Sequence, residues 1–315
     1  DSVAAAMTDA DDVAKKVLTI RKKLAKSSVS KYEMMASATG NDGRLRGTLQ
    51  FYGANRTGRW AGRLLQVQNL PRNYIVNLDI ARDLVRASNR VGLGLLFGDV
   101  SDTLSQLIRT AIVAKEGYTL CVADFSAIEA RVIAWLSGET WRQKVFAEGG
   151  DIYCASASSM FGVPVVKHGV NGHLRQKGKV AELALGYCGG VNALKAMGAL
   201  DMGLSEEELP NIVALWRQAS PKIKELWYTV EKAAVYTVTT GNPMTIEHGI
   251  TFRLEVDPFY GYRYMTIELP SGRKLFYPDP HIKLNNFDKE ALHFKTQLNN
   301  AWVTESTYGG KLVEN

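Results

Sequence analysis

Three stretches of this chain carry residue types that can do chemistry together. In the first, Asp124-Phe-Ser-Ala-Ile-Glu129-Ala-Arg131, two carboxylates and a guanidinium lie close in sequence. Before it, Tyr118, Leu120 and Val122 alternate with Thr119, Cys121 and Ala123, which predicts a buried strand. After it, Ile128, Val132, Ile133, Trp135 and Leu136 recur at helical spacing up to Gly138, which stands where a helix stops. Asp124 is thus expected at the end of a strand, just ahead of a helix whose positive end suits a carboxylate holding a cation. Spacing alone also allows plainer roles. Ser126 and Glu129 form the S-x-x-E of a capping box, and Asp124 can be a turn residue.

In the second stretch, Arg175, Lys179, Leu183 and Tyr187 recur every four residues, so on a helix they form one slowly drifting ridge. Leu174, Gly178, Ala181 and Leu185 fall on roughly the opposite side and are small or apolar, as a buried face should be. Two cations toward the N-terminal half and an aromatic at the far end suit a nucleotide, with phosphates at the first and a base or sugar at the second. A solvated basic surface is the alternative. The third stretch, residues 40 to 75, interleaves Arg44, Arg46, Arg56, Arg59, Arg63 and Arg72 with glycines, and Asp42 is its one acid. Glycines let a backbone approach closely and arginine forks suit phosphates, although a charged solvated loop has the same composition.

The elements around these stretches are mixed. Residues 11 to 36 read as an amphipathic helix with a basic face, broken near Ser27 to Ser30, and Ile75 to Leu107 is helix-like with an interruption at Gly92-Leu-Gly94. A helix is expected from Trp141 to Glu148, and helical pattern returns from Val191 to Tyr236. Strands follow from Gly241 to Phe287, including Met265–Leu269 and Leu275–Tyr277 around a Pro270-Ser-Gly-Arg273 turn, and another helix is expected at the end. With 315 residues, 46% apolar and 22% charged, the chain has room for about two domains. It has no long apolar run and no signal-peptide pattern, so no membrane span is expected and the cytoplasm is the default. Cys121, Cys154 and Cys188 are far apart and suggest neither a zinc site nor a disulfide frame. A net charge of +6 is weak support for a polyanionic partner.

Asp124-Phe-Ser-Ala-Ile-Glu129-Ala-Arg131 resembles motif A of the family A (DNA polymerase I-like) DNA polymerases, D-Y-S-x-I-E-x-R. The resemblance makes Asp124 the catalytic aspartate binding two metal ions, Mg2+ with Mn2+ possible, together with the Phe125 main-chain carbonyl. It makes Glu129 the steric gate against a ribose 2′-hydroxyl. The ridge Arg175, Lys179, Leu183, Tyr187 resembles motif B, the fingers helix, which implies dNTP binding, with Tyr187 also at the gate. Leu183 stands where the family has an aromatic that stacks near the incoming sugar. Asp151-Ile-Tyr153 resembles D-I-H-x-x-T-A, with Tyr153 in place of a histidine that contacts the triphosphate. Thr57-Gly-Arg59 and Gln66-Val-Gln68-Asn69-Leu-Pro71 resemble the family's primer-grip segment. That assigns primer–template contacts to Arg59, Gln66, Gln68 and Asn69, with Arg56 and Arg63 beside them in a form that phage-encoded members often show.

The fold this resemblance implies is α+β: a right-hand polymerase with an antiparallel palm sheet, mostly helical fingers and a thumb remnant. Residues 1–50 would be the thumb remnant, 51–138 palm with the primer-grip loop and motif A, 139–240 fingers with the motif B helix at 172–187, and 241–315 a strand-rich return toward the palm. The family's second carboxylate lies in a motif C, H-D-E, and none of His168, His173, His248, His281 or His293 is followed by Asp. Two ions about 3.5–4 Å apart need more than one carboxylate. The expectation is therefore a partial DNA-directed DNA polymerase of phage or prophage type, working on primer–template DNA and dNTPs in a bacterial or phage-infected cell. A C-terminal segment or a second polypeptide would complete it. Single-subunit RNA polymerases share the arginine–lysine–tyrosine helix but lack the gate glutamate. A non-catalytic relic that only grips primer–template is the reading from another class.

Overall fold

The computed structural model describes residues 10–24, 30–54, 57–285, 288–298 and 301–314. The chain divides into two compact units, one ending at Ala123 and one beginning at Asp124.

In the first unit, helices α1 (Asp12–Leu24) and α2 (Ser30–Ala38) stand on either side of the expected break. A short antiparallel pair follows, β1 (Leu49–Gln50) with β2 (Ala61–Gly62), then helices α3 (Leu78–Arg86), α4 (Arg90–Phe97) and α5 (Val100–Leu107). Gly92 and Gly94 do not interrupt a helix but lie within α4, because the Asn89 side chain caps its first turn by accepting from the Gly92 amide at 2.8 Å. The core here is small: Leu65, Leu70 and Ile108, with Tyr32 and Met35 of α2 packed against them. Polar ties add to it, since Lys31 Nζ donates to the Leu65 carbonyl and Tyr32 Oη to that of Leu104.

The second unit opens with α6 (Ile128–Ser137), which ends at Gly138 in the left-handed conformation as its position predicts. Helices α7 (Thr140–Ala147), α8 (Ile152–Phe161), α9 (Leu174–Leu185), α10 (Val191–Ala196), α11 (Leu209–Ala219) and α12 (Pro221–Thr240) follow. Strands β3 (Met244–Thr245), β4 (Thr251–Val256), β5 (Arg263–Glu268) and β6 (Lys274–Pro278) form an antiparallel sheet in that order. Strands β7 (His281–Leu284), β8 (Glu290–Leu298) and β9 (Ala301–Thr307) form another, and α13 (Gly309–Glu314) closes the unit. The register sets Met265 opposite Tyr277 and Ile267 opposite Leu275, all fully or nearly fully buried, around the turn expected at Pro270 to Arg273. One core joins the inner face of this sheet to α9, α11 and α12, with Trp216 and Trp227 stacked 6.1 Å apart at its centre.

One expectation fails here. Residues 118–123 make no strand pairing among the described residues, and Tyr118, Leu120 and Val122 are 71%, 57% and 90% exposed. Alternation specifies which side chains share a face; it does not supply the neighbouring backbone that a strand needs. Asp124 consequently stands on an irregular segment, and the larger antiparallel sheets, of four and three strands, lie between Met244 and Thr307. The cap position of α6 falls on Ala127, which makes no side-chain cap hydrogen bond, and not on Ser126 as the alternative capping-box reading has it.

Candidate active site

The site is built where α6, α8, α9 and α11 meet. Ala127 adopts φ 51°, ψ 45°, a left-handed conformation costly for a residue with a Cβ, and turns the chain sharply into α6. Arg131 steadies that turn, its Nε donating to the Ser126 carbonyl at 2.8 Å while its guanidinium lies 4.4 Å from the centre of the Phe146 ring. Asp124 and Phe125 precede the turn and are exposed.

Helix α9 crosses α8 at Gly178, where a Cβ would come within 2.2 Å of the Tyr153 carbonyl oxygen. Only glycine permits this approach, which brings Arg175 beside α8. There Arg175 Nε pairs with Asp151 Oδ2 at 2.8 Å, and its guanidinium sits 5.2 Å from the centre of the Tyr153 ring. Asp151 also caps α8, its Oδ1 accepting from the amides of Tyr153 at 2.9 Å and Cys154 at 3.3 Å. Burial pushes the Asp151 carboxyl up, but the Arg175 hydrogen bond and those amides outweigh it and hold it below the usual carboxylate value. A carboxyl depressed in the fold contributes stability above its ordinary pKa and loses it as pH falls through the lower folded value. Asp151→Ala, which also removes the cap, should cost about 1 kcal/mol near neutral pH. In urea titrations the gap between variant and wild type should narrow in acid; a gap independent of pH would contradict this role.

Between α6 and α9 lies an open groove with a cavity of about 130 Å3. Four residues singled out by the sequence line it: Glu129 from α6, Tyr153 from α8, and Leu183 and Tyr187 from the α9 side. Tyr187 is not on the helix, because α9 stops at Leu185, short of the expected 187; the next residues form a turn in which Cys188 has φ 62°. Arg175 and Lys179 lie on α9 toward its N-terminal end, as expected. The predicted buried face is present at Gly178, Ala181 and Leu185.

Beneath the groove is a network that the sequence reading missed. Arg142, fully buried on α7, pairs with Glu182 of α9 at 2.6 Å, and its other nitrogen Nη2 donates to Ser220 Oγ at 2.7 Å. Trp216 Nε1 donates to the second Glu182 oxygen at 2.9 Å. One carboxylate thus ties α9 to α7 and α11, and Glu182 and Trp216 both line the groove. The available signal was a charge at Glu182 between the buried Ala181 and Ala184.

The described residues of the first unit assigned to primer–template contact flank β2, with Arg59 before it and Arg63 after it, and continue into the 3-10 turn at Val67–Asn69. Arg59, Arg63, Gln66, Gln68 and Asn69 are exposed, and Arg56 lies outside the described residues. Asn69 Nδ2 donates to Gln66 Oε1 at 3.3 Å, and Arg63 Nη1 to the Gly62 carbonyl at 3.1 Å. Asp42 is clasped by both terminal nitrogens of Arg46 at 3.0 and 2.7 Å; that hydrogen bonding holds its carboxyl at about 2.

The sequence profile of DNA polymerase family A matches residues 1–244. The chain belongs to DNA polymerase family A. It is 52% identical over 307 residues to a DNA polymerase of Bacillus phage SP02, a match covering 97% of this chain and 46% of that protein. The thermostable DNA polymerase I of Thermus thermophilus is 38% identical over 125 residues, 40% of this chain and 14% of that protein. DNA polymerase I of Rhizobium leguminosarum is 37% identical over 99 residues, 31% and 9% respectively. The chain therefore spans less than half the length of these family A relatives.

Among the described residues no group of three or more His, Cys, Asp and Glu side chains could hold a metal ion. Asp124 and the Phe125 carbonyl do not by themselves fit the two Mg2+ or Mn2+ ions that the family resemblance implies, since hard cations take about six or more oxygen ligands each. No described helix is long and apolar enough to cross a membrane.

Proposed function

We propose that this chain is the nucleotide- and primer-binding part of a DNA-directed DNA polymerase, with its second metal-binding carboxylate supplied by residues outside the chain. The observation that carries this reading is the groove in which Glu129, Leu183 and Tyr187 meet at the end of the helix bearing Arg175 and Lys179. A cationic helix start leading to an aromatic and apolar end sorts an incoming dNTP: triphosphate toward Arg175 and Lys179, base and sugar against Leu183 and Tyr187. Glu129 on the facing wall meets the sugar edge and rejects a 2′-hydroxyl. Tyr153 offers one phenolic donor and, through its ring, a surface for the Arg175 guanidinium. Leu183 packs against a sugar without offering a π-face.

In this reading residues 1–50 are the thumb remnant, 51–138 the palm with the primer-grip loop and motif A, 139–240 the fingers and 241–315 a return toward the palm, with Arg56, Arg59, Arg63, Gln66, Gln68 and Asn69 on the DNA. Divalent ions bound at Asp124 would supply electrostatic activation of the primer 3′-hydroxyl. The exposed segment 118–122 offers a pairing edge to the polypeptide, downstream segment or second chain, that brings the missing carboxylate.

Primer extension tests the reading. The chain alone with Mg2+ and dNTPs should not extend a primer. Adding a polypeptide that covers the rest of the phage relative's length should restore extension, and Asp124→Asn should abolish it. Extension by this chain alone would refute the missing-carboxylate account. In the completed enzyme, Glu129→Ala should raise ribonucleotide use about tenfold or more relative to dNTP, about 1.4 kcal/mol of lost discrimination. Unchanged selectivity would leave Glu129 without a gating role.

The lack of a three-ligand group among the described residues favours one second reading, a relic that grips primer–template without chemistry. A relic would bind duplex with a salt-dependent affinity and show no Asp124-dependent metal binding by calorimetry.

A further inference from the structure

Beyond the Gln50–Ala61 pair of the β1–β2 hairpin, Phe51 and Trp60 face each other with ring centroids 5.3 Å apart at 71°. Both are exposed, 71% and 59%, so the pair contributes little to any core. The hairpin holds them in place. A Cβ on Gly53 would come within 2.5 Å of Ala61 Cβ, so the two arms approach as closely as they do only because residue 53 is glycine, and the Ala54 amide donates to the Arg59 carbonyl at 3.1 Å. The surrounding sequence is strongly cationic: between residues 40 and 75 there are six arginines and one acid, and that acid, Asp42, is already clasped by Arg46.

We propose that the Phe51–Trp60 pair is a stacking platform for an unpaired nucleobase of DNA. The inference rests on the reading of this chain as the DNA-binding part of a polymerase. Six arginines against one clasped acid select a polyanion over a protein surface of ordinary charge. The ring surface that this edge-to-face pair leaves exposed selects an unpaired base, because a base inside a duplex already has both faces covered by its neighbours, whereas an unstacked one gains from an aromatic partner. A frayed primer 3′ terminus and a template overhang present the same chemistry.

The test uses the whole chain, with labelled oligo(dT) and a phosphate-matched duplex with chemically capped ends followed by anisotropy. Phe51→Ala and Trp60→Ala should each weaken oligo(dT) binding about tenfold or more, the scale of one lost base stack, and change duplex binding by less than about twofold. Trp60→Phe should retain most of the affinity. Thermal midpoints should stay at the wild-type value, since both rings are exposed. With 2-aminopurine at the primer terminus or in the overhang, a change in emission on binding identifies which unpaired base is seated; a change at neither position overturns the proposal. Unchanged oligo(dT) binding, equal losses on oligo(dT) and duplex, or loss of a concentration-dependent dimer in place of DNA binding also overturn it. A wild-type chain that binds neither oligo(dT) nor primer–template would instead bring down the polymerase reading itself. Wild-type binding to both, with unaltered variants, removes this inference alone.

Discussion

Arg142→Ala should lower unfolding stability by about 3–5 kcal/mol, the range for removing one partner of a buried ion pair. The guanidinium is fully buried, and the Glu182 side chain it meets is only 4% exposed. Truncation leaves that carboxylate facing a void with its cation gone, while the Trp216 indole still donates to it. Ser220 Oγ, also buried, loses its donor in the same step. Urea unfolding followed by far-UV circular dichroism measures the loss as a lower midpoint at an unchanged slope. A change under about 1 kcal/mol would mean that the pair contributes nothing net. Replacing Arg142 and Glu182 together by apolar residues of similar volume should recover much of the loss, because no uncompensated charge then remains.

Trp216→Ala should cost a similar amount, about 3–5 kcal/mol, by a different route. The indole is 1% exposed, stacks on Trp227 and floors the groove, so its removal opens a large cavity in the middle of the main core. It also takes a hydrogen bond from Glu182. Trp216→Phe separates the two effects: it fills most of the volume, and its remaining cost should approach that of one lost bond to a charged group, about 1.5–3 kcal/mol. Since both substitutions act on Glu182, the Arg142→Ala, Trp216→Ala double variant should lose less than the sum of the single losses. Strict additivity in the same urea titrations would show that the two residues do not communicate through that carboxylate.

What could be read in advance follows from how local each signal is. The start and stop of α6, the buried face of α9 and the β5–β6 hairpin rest on periodicity and turn residues within a few positions, and the structure agrees with them. Segment 118–123 has an equally local signal, but a strand is completed by a neighbour that periodicity does not name. The site divides the same way. Glu129, Tyr153, Leu183 and Tyr187 were marked by motif, and the fold brings them to one groove. Glu182 was passed over because its partner Arg142 is 40 residues away on another helix. In sequence Asp151 is only part of a motif; that it both caps α8 and holds Arg175 emerges when Gly178 lets two helix backbones touch.

The bare segment ahead of Asp124 has a consequence for solubility. From Gly117 to Ala123 there is no charge and no proline, and the run is rich in residues that favour extended backbone. A short, uncharged, surface-exposed run of this kind is a template for ladder growth between identical copies. Self-association of the isolated chain should then grow with protein concentration.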